Sequence, residues 1–111
     1  MSGGAGNDRY IVDSSSDTVT ENLSQGTDII YSSVTYTASS NVENLTLTGS
    51  SNINATGNSL NNTLTGNTGN NTLNGSGGND SMSGGSGNDT YYVDSSSDTV
   101  TENLSQGTDI I

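Results

Sequence analysis

A nine-residue period runs through most of this 111-residue chain and constrains its fold more than any other feature. Residues 84–92 read GGSGNDTYY and residues 75–83 read GSGGNDSMS, so a glycine-rich turn is followed by three residues with one large apolar side chain. Less regular copies keep an apolar residue at the eighth position. The eighth-position residues are Ala55, Leu64, Leu73, Met82 and Tyr91. A short period of this kind is typical of solenoids, in which each repeat packs against its neighbours.

A second repeat operates at a longer scale. Residues 1–30 reappear as residues 82–111, an offset of 81, and the two copies differ at only three positions. The chain therefore contains one long repeat, residues 1–81, and a partial second copy, residues 82–111. Its length is that of one domain, so we expect residues 1–111 to form a single repeat domain.

Each nine-residue unit divides into a turn and a short strand. Glycine permits the positive φ that tight turns need, and side chains alternate along a strand, so the lone apolar residue faces inward and its polar neighbours face outward. Two units make one coil of about 18 residues, and successive coils stack as parallel strands roughly 4.8 Å apart. Parallel crossovers are right-handed. The sequence therefore predicts an all-β fold, a right-handed parallel β-roll or β-solenoid of about six stacked coils.

Composition explains why a thin coil suits this chain. Only 26% of the residues are hydrophobic, and Gly, Ser, Thr and Asn make up 67 of 111, whereas ordinary domains are nearer half apolar. The lack of Cys and His excludes disulfides, thiolate or imidazole metal sites and a Ser-His-Asp triad. A net charge of −11 argues against nucleic-acid binding, and no apolar run is long enough to span a membrane. We expect no enzyme, because carboxylates repeated every nine residues form no single cleft.

Carboxylates occupy the sixth position of the repeat, and the coil stacks them. Residues two units apart lie on the same edge, which puts Asp80 next to Asp98 and Asn62 next to Asp80, while Asn71 and Asp89 share the other edge. Stacked like charges repel by on the order of 3–4 kcal/mol at an effective dielectric constant near 20, so they need a cation. Ca²⁺ accepts oxygens from carboxylates and backbone carbonyls alike, whereas Mg²⁺ demands a tighter octahedron and keeps its waters.

Together these residues resemble the nonapeptide repeat G-G-x-G-x-D-x-U-x of the RTX (repeats-in-toxin) proteins, in which U is a large apolar residue. The resemblance implies that Ca²⁺ is the cofactor, held between coils by turn carbonyls and the Asp side chain. The metal-site residues that it implies are Asp80, Asp89, Asp98, Gly75, Gly77, Gly84 and Gly87, with Asp8 and Asp17 in the first copy. Two units beyond those last two stand Gly26 and Thr35, so we expect the first-copy sites to depend on a preceding repeat.

Four residues keep two interpretations each. Asn62 and Asn71 replace Asp at the sixth position, and they form either a hydrogen-bonded ladder along the axis or neutral ligands of Ca²⁺. Asp28 and Asp109, both in the sequence GTDII, are either metal ligands or turn residues before a strand.

Three further features concern the fold. Tyr10 and Tyr91 stand at the eighth position, so we expect both to plug the interior. Arg9, the only basic residue, is either a surface cation or a partner of a carboxylate. Residues 21–40 break the nine-residue period, which suggests longer strands and a wider coil in this segment.

The leading functional hypothesis, implied by the resemblance, is a non-enzymatic calcium-binding β-roll module of a secreted bacterial RTX-like protein, located outside the cell or at its surface. Its partners are calcium ions, and their binding energy becomes folding energy because the ligands assemble only in the folded chain. An alternative is a structural repeat of an extracellular fibre or matrix, since matching ends invite further copies to stack head to tail. A lesser alternative is an ice-binding roll, although the third turn positions form no regular row: Ser59, Thr68, Gly77 and Ser86.

Overall fold

Ten short strands, each parallel to its neighbours, form the regular structure of the described residues. The computed structural model of the protein describes residues 1, 3–21 and 26–101. Sheet A has six strands, in the spatial order β1 (Arg9–Val12), β2 (Ile29–Ser32), β4 (Asn44–Leu47), β6 (Thr63–Thr65), β8 (Ser81–Ser83) and β10 (Thr99–Thr101). Sheet B has four, in the order β3 (Tyr36–Thr37), β5 (Ala55–Thr56), β7 (Thr72–Asn74) and β9 (Thr90–Tyr92). The result is a β-solenoid of about five turns, and the predicted all-β fold is confirmed.

The strand register keeps the predicted spacing in the second half of the chain. In sheet A, Thr63 pairs with Ser81 and Ser81 pairs with Thr99, so each step is twice the nine-residue period. In sheet B, Leu73 lies opposite Tyr91 at the same spacing. These registers confirm the prediction that two units make one coil. Across the described ranges, no helix has the length and apolar character needed to cross a membrane.

The core is a thin layer between the two sheets, built on one inward row of side chains from each, to which Val12 of β1 and Leu47 of β4 add a second buried position. The row from sheet A consists of Tyr10, Ile30, Leu45, Leu64, Met82 and Val100. The row from sheet B consists of Tyr36, Ala55, Leu73 and Tyr91. Tyr10 and Tyr91 are only 4% and 2% exposed, so both plug the interior as predicted. In the three-residue strands β6 to β9 only the middle residue is buried, so one large side chain per strand fills the layer there.

The two coils that include residues 21–40 depart from the length of two units, the first being longer and the second shorter. The first coil, in which Arg9 pairs with Ile29, is longer than two nine-residue units, whereas the next, in which Ile29 pairs with Asn44, is shorter. The buried hydroxyl of Ser32 donates to the carbonyl oxygen of Val34 at 2.6 Å and accepts its N–H at 3.2 Å. This tight turn ends β2 after four residues and starts β3 in the other sheet. The expectation of longer strands and a wider coil is therefore wrong for β3 and for the coil from β2 to β4.

Corresponding first strands of the two long-repeat copies lie in opposite sheets. β1 belongs to sheet A, whereas β9, its counterpart in the second copy, belongs to sheet B. From β1 the chain passes through four coils, reaching β2, β4, β6 and β8 of sheet A, and then goes half a coil further to β9, so the long repeat spans four and a half coils. The second copy therefore starts half a turn out of phase with the first. Nearly the same sequence thus forms a strand of sheet A in one copy and a strand of sheet B in the other.

Candidate metal centre

The residues that immediately precede the strands of sheet A form one acidic row, which we call the acidic edge. Five of its six members carry a carboxylate: Asp8, Asp28, Glu43, Asn62, Asp80 and Asp98. The residues that precede the described strands of sheet B are mostly neutral: Thr35, Asn54, Asn71 and Asp89. The carboxylates that precede strands are therefore concentrated on one side of the solenoid.

Backbone N–H groups on the acidic edge donate to the carboxylate one coil further on. The N–H of Asn62 donates to Asp80 Oδ1 at 2.8 Å, and the N–H of Asp80 donates to Asp98 Oδ1 at 2.8 Å. On the other edge, the N–H of Asn71 donates to Asp89 Oδ1, also at 2.8 Å. These contacts place the sixth-position residues in the stacks that the two-unit spacing predicts.

Asp80, Asp94 and Asp98 form what we call the second carboxylate cluster, in which oxygens of all three residues lie within 4.8 Å of one another. Asp80 is 2% exposed, and its Oδ2 is buried without a hydrogen-bond partner. Asp98 Oδ2 accepts the N–H of Asp94 at 3.1 Å. Sequence reasoning missed Asp94, although its separation from Asp98 recurs between Asp13 and Asp17.

The two stacked aspartates of this cluster differ in acidity. Burial raises the pKa of the Asp80 carboxyl, and the negative charges of Asp98 and Asp94 raise it further, against a lowering hydrogen bond from Asn62. The pKa of Asp98 is lowered, chiefly because its carboxylate accepts the backbone N–H of Asp80. One carboxylate is thus held in its charged form, while its buried neighbour lacks the counter-charge that ionisation requires.

First-position glycines make room for the carboxylates. A Cβ added to Gly75 would overlap the carboxylate of Asp80, and a Cβ added to Gly84 would overlap that of Asp89. The side chain at the sixth position therefore lies directly against the glycine backbone of its own turn. Both glycines belong to the predicted site, and this close approach explains why no other residue fits there.

The other two predicted glycines have different surroundings. Gly77 is exposed, and a Cβ added to it would meet nothing closer than Ser59 Cα at 3.7 Å. Gly87 has a φ of +95° and lies against the carbonyl oxygen of Gly69 in the preceding coil. Position 87 therefore requires glycine because of its backbone conformation. Position 77 has no such requirement, and only its backbone groups are available to the site.

The amide side chains of Asn62 and Asn71 are engaged by the protein itself. Asn62 Nδ2 donates to the carbonyl oxygens of Val42 and Glu43, both at 3.1 Å, and its Oδ1 accepts the N–H of Asn58 at 2.8 Å. Asn71 likewise donates to a backbone carbonyl of the preceding coil at 2.7 Å. The hydrogen bonds run along the axis, but their partners are backbone groups rather than the stacked side chains of a ladder.

Asparagine at the second position completes these two turns. Asn58 Nδ2 donates to the carbonyl oxygens of Ser39 and Val42, at 2.8 and 2.7 Å. Asn67 Nδ2 also donates to two carbonyl oxygens of the preceding coil, at 3.1 and 3.0 Å. Amide N–H groups thus supply the positive partners of the turn carbonyls wherever the sixth position is neutral.

Asparagines at the fifth position form a further axial row, which we call a ladder and which sequence reasoning missed; in it a backbone N–H donates to the side-chain oxygen of the asparagine in the preceding coil. The N–H of Asn70 donates to Asn52 Oδ1 at 2.8 Å, and the N–H of Asn88 donates to Asn70 Oδ1 at 2.8 Å. Asn79 and Asn61 make the same contact on the other side at 2.9 Å. The signal was present as an asparagine every nine residues immediately before the sixth position. This ladder stabilises the stack through neutral hydrogen bonds.

Asp8, Glu21 and Asp28 form what we call the first carboxylate cluster, with oxygens within 4.8 Å of one another. Because the first coil is longer than two units, Asp28 lies beside Asp8, and Gly26 lies against Gly6 instead. The expectation that Asp8 faces Gly26 and lacks an acidic partner in this chain is therefore wrong. Asp28 precedes a strand, as the turn interpretation predicts, and its carboxylate also belongs to this cluster. Sequence reasoning missed Glu21. Burial raises the pKa of its carboxyl, and the negative charge of Asp28 raises that pKa further.

The remaining residues singled out in the sequence lie apart from both clusters. Asp17 Oδ2 accepts the N–H of Asp13 at 3.1 Å, in a turn like that of Asp98. Arg9 is exposed and lies over the ring of Tyr31, with its guanidinium carbon 6.0 Å from the centroid, so it is a surface cation. Asp109 lies outside the described residues.

Both carboxylate clusters are compatible with calcium. They offer only oxygen ligands, and each contains a buried carboxylate oxygen that has no hydrogen-bond partner. Ca²⁺ binds oxygens at about 2.3–2.6 Å, so ligands on opposite sides of one ion are about 4.6–5.2 Å apart. Oxygens within 4.8 Å of one another therefore fit around a single ion. A parallel β-solenoid with such turns is a metal-binding repeat protein.

Comparison with known protein families identifies the repeat. The family model of the RTX calcium-binding nonapeptide repeat matches the chain in four copies, over residues 1–19 and 56–91. These segments, just under half of the chain, are RTX calcium-binding nonapeptide repeats, and Ca²⁺ is the ion that such repeats bind. The repeats of this family bind calcium and support structure rather than catalyse reactions. Neither the curated proteins nor the solved structures compared with the chain gave a match.

Proposed function

We propose that residues 1–111 act as a single, non-enzymatic module of a secreted bacterial protein and that Ca²⁺ binding sets its fold. With a net charge of −11 and a thin core, the chain lacks the apolar burial that would hold its coils together against charge repulsion. Calcium outside the cell supplies the missing attraction, because ligands that assemble only in the folded chain convert binding energy into folding energy. RTX repeat proteins are typically secreted, which supports this location.

The observation that carries the proposal is the bare oxygen of Asp80. This oxygen is buried, has no hydrogen-bond partner and lies beside the carboxylates of Asp94 and Asp98. A buried charge is stabilised only when it is paired or coordinated. We therefore assign Asp80 and Asp98 as calcium ligands of the acidic edge, and Asp89 as their equivalent on the other edge. Turn carbonyls, including those of Gly75, Gly77, Gly84 and Gly87, complete the shell.

The turns that contain Asn62 and Asn71 hold no ion in this proposal. Their carbonyl partners already receive amide N–H groups, for example from Asn58 to Ser39 and Val42. A neutral amide network closes such a turn without metal and without dependence on calcium concentration. These two turns form a metal-independent centre between the calcium-dependent ends of the solenoid.

Far-UV circular dichroism of the full chain tests the folding step. We expect little strand signal at neutral pH with a chelator and a large increase when Ca²⁺ is added. Full strand content under both conditions would contradict calcium-dependent folding.

Calorimetry tests the ligands. The D80N/D98N variant is expected to bind fewer calcium ions than the unchanged chain. The matched control is D13N, which removes an exposed carboxylate that belongs to neither cluster and is expected to leave the ion count unchanged. An unchanged count in D80N/D98N would contradict the assigned site.

Head-to-tail assembly is a second candidate, favoured by the ends of sheet A. Among the described strands, β1 and β10 each pair with one neighbour only, and an unpaired strand edge is a template for another chain. Sedimentation velocity over a range of protein concentrations, with calcium saturating, distinguishes the cases. Species that grow with concentration support a fibre, whereas a constant monomer contradicts it.

A further inference from the structure

Acidic side chains also gather in the first coil, outside the nonapeptide pattern. The first carboxylate cluster joins Asp8, which precedes β1, Asp28, which precedes β2, and Glu21, which lies on the chain between them. Glu21 and Asp28 fall outside the segments that match the RTX repeat. The cluster exists because the first coil is longer than two nine-residue units, which brings Asp28 into line with Asp8.

Existing hydrogen bonds orient this cluster and leave three oxygens bare. Asp28 Oδ1 accepts the N–H of Asp8 at 2.8 Å, and Glu21 Oε1 accepts the hydroxyl of Tyr10. The oxygens Asp8 Oδ2, Glu21 Oε2 and Asp28 Oδ2 are buried without a hydrogen-bond partner. Glu21 is only 6% exposed and Asp28 only 1% exposed, so water cannot solvate these charges. Desolvated carboxylates of like charge in contact require a counter-ion.

The protein offers this cluster no basic side chain. Arg9 is the only one in the chain, and it lies on the outside over Tyr31. An oxygen-only set of this charge selects a hard divalent cation, since zinc sites draw on nitrogen and sulfur ligands. We propose that Asp8, Glu21 and Asp28 bind one Ca²⁺ in the first coil, a site additional to those of the nonapeptide turns. Tyr10 is its positioning residue, because its hydroxyl orients Glu21.

The long repeat carries the same set a second time. The counterparts of Asp8, Tyr10, Glu21 and Asp28 in the second copy are Asp89, Tyr91, Glu102 and Asp109, and the last two of these lie outside the described residues. A test must therefore first remove the equivalent carboxylates of the second copy. The E102Q/D109N variant of the full chain provides this background.

Calcium calorimetry and terbium luminescence then give two independent readouts. In the E102Q/D109N background, adding E21Q and D28N is expected to remove one Ca²⁺ per chain. Tb³⁺, used as a luminescent substitute for Ca²⁺, is excited by a nearby tyrosine, and Tyr10 contacts Glu21 directly. The same E21Q/D28N change is therefore expected to remove the part of the tyrosine-sensitised emission that Tyr10 contributes. Y10F keeps all three carboxylates, so it is expected to retain the ion count and lose the same part of the emission.

The outcomes separate this proposal from the calcium site of the nonapeptide turns. An unchanged ion count and unchanged emission in E21Q/D28N overturn the first-coil site, and if that variant does not fold, unchanged emission in Y10F overturns it instead. D13N, which removes the same charge from an exposed position, is expected to change neither readout. If D80N/D98N binds as many ions as its parent while E21Q/D28N loses one, the first-coil site stands and the assignment of Asp80 and Asp98 falls.

Discussion

Turns in this solenoid differ in the residues at their second and sixth positions. Asn58 and Asn62 fill their turn with amides that donate to backbone carbonyls, whereas Ser76 and Asp80 leave a carboxylate oxygen bare. Two side chains thus separate a turn closed by hydrogen bonds from one that has a buried carboxylate oxygen without a hydrogen-bond partner, where we propose an ion. The glycine at the first position serves both kinds of turn, since the sixth-position side chain lies against it in each.

The variant G75A tests this arrangement. An added methyl group at residue 75 overlaps the carboxylate of Asp80, so the carboxylate must move, and we expect calcium affinity to fall by about tenfold or more, equivalent to about 1.4 kcal/mol. G77A is the matched control, because its methyl group meets nothing closer than Ser59 Cα at 3.7 Å and the affinity should stay within about twofold. Calorimetric titration measures both, and equal affinities would show that the carboxylate does not need this glycine.

At this scale, regular spacing decides which site residues can be predicted. Asp80 and Asp98 follow from the sequence because two nine-residue units make one coil of constant length. Glu21 and Asp94 stand outside the sixth position, so the nine-residue period does not mark them. The partner of Asp8 depends on the extra length of the first coil, which the nine-residue repeat does not specify.

Strands in this fold are only two to four residues long, and each is held by the stack rather than by its own length. In β6, Leu64 is fully buried while its neighbour Thr63 is exposed. Alternation within so short a strand is readable from the sequence because the apolar residue recurs every nine positions. β3 was not predictable in the same way, since the turn that precedes it depends on the buried hydroxyl of Ser32.

Removing one inward side chain should weaken the whole stack. L64A creates a cavity in a layer that has no spare apolar residue to fill it, so we expect the calcium-bound chain to lose about 2–5 kcal/mol of unfolding free energy. T63A changes an exposed residue of the same strand and should stay within about 0.5 kcal/mol. Denaturant unfolding at saturating calcium measures the difference, and similar midpoints for the two variants would argue against a continuous core.

The whole molecule is lopsided in charge, because the acidic edge lies on one side and the mostly neutral turns lie on the other. The chain has one basic residue and twelve acidic residues. Without metal, the folded state must therefore hold buried carboxylates close together. Protons and calcium ions both relieve this repulsion, and they compete for the same oxygens.

The stability of the metal-free chain should therefore rise as the pH falls toward about 4. The pKa values of Asp80 and Glu21 are raised in the folded state, so these groups oppose folding increasingly as the pH rises through the range where they ionise. Asp98, whose pKa is lowered, acts in the opposite sense and loses its contribution in acid, but it is one group against two. Far-UV circular dichroism in a chelator should show more strand signal near pH 4.5 than near pH 7.5.

Calcium should reverse this order, because protonation in acid releases the ion. Thermal unfolding at saturating calcium is expected to give the higher midpoint near neutral pH. A metal-free strand signal that rises steadily from pH 4.5 to pH 7.5 would mean that the raised pKa values do not govern stability.

The placement of the two long-repeat copies in opposite sheets has a geometric consequence for any longer array. Each long-repeat unit ends half a revolution ahead of where it began, so consecutive units are related by a two-fold screw operation. Two units, not one, make up the translational period, which is about nine rungs or roughly 43 Å. A flank rich in carboxylates on one unit is then followed by the opposite flank on the next, and the charge of a long rod is balanced left and right although no individual unit is symmetric.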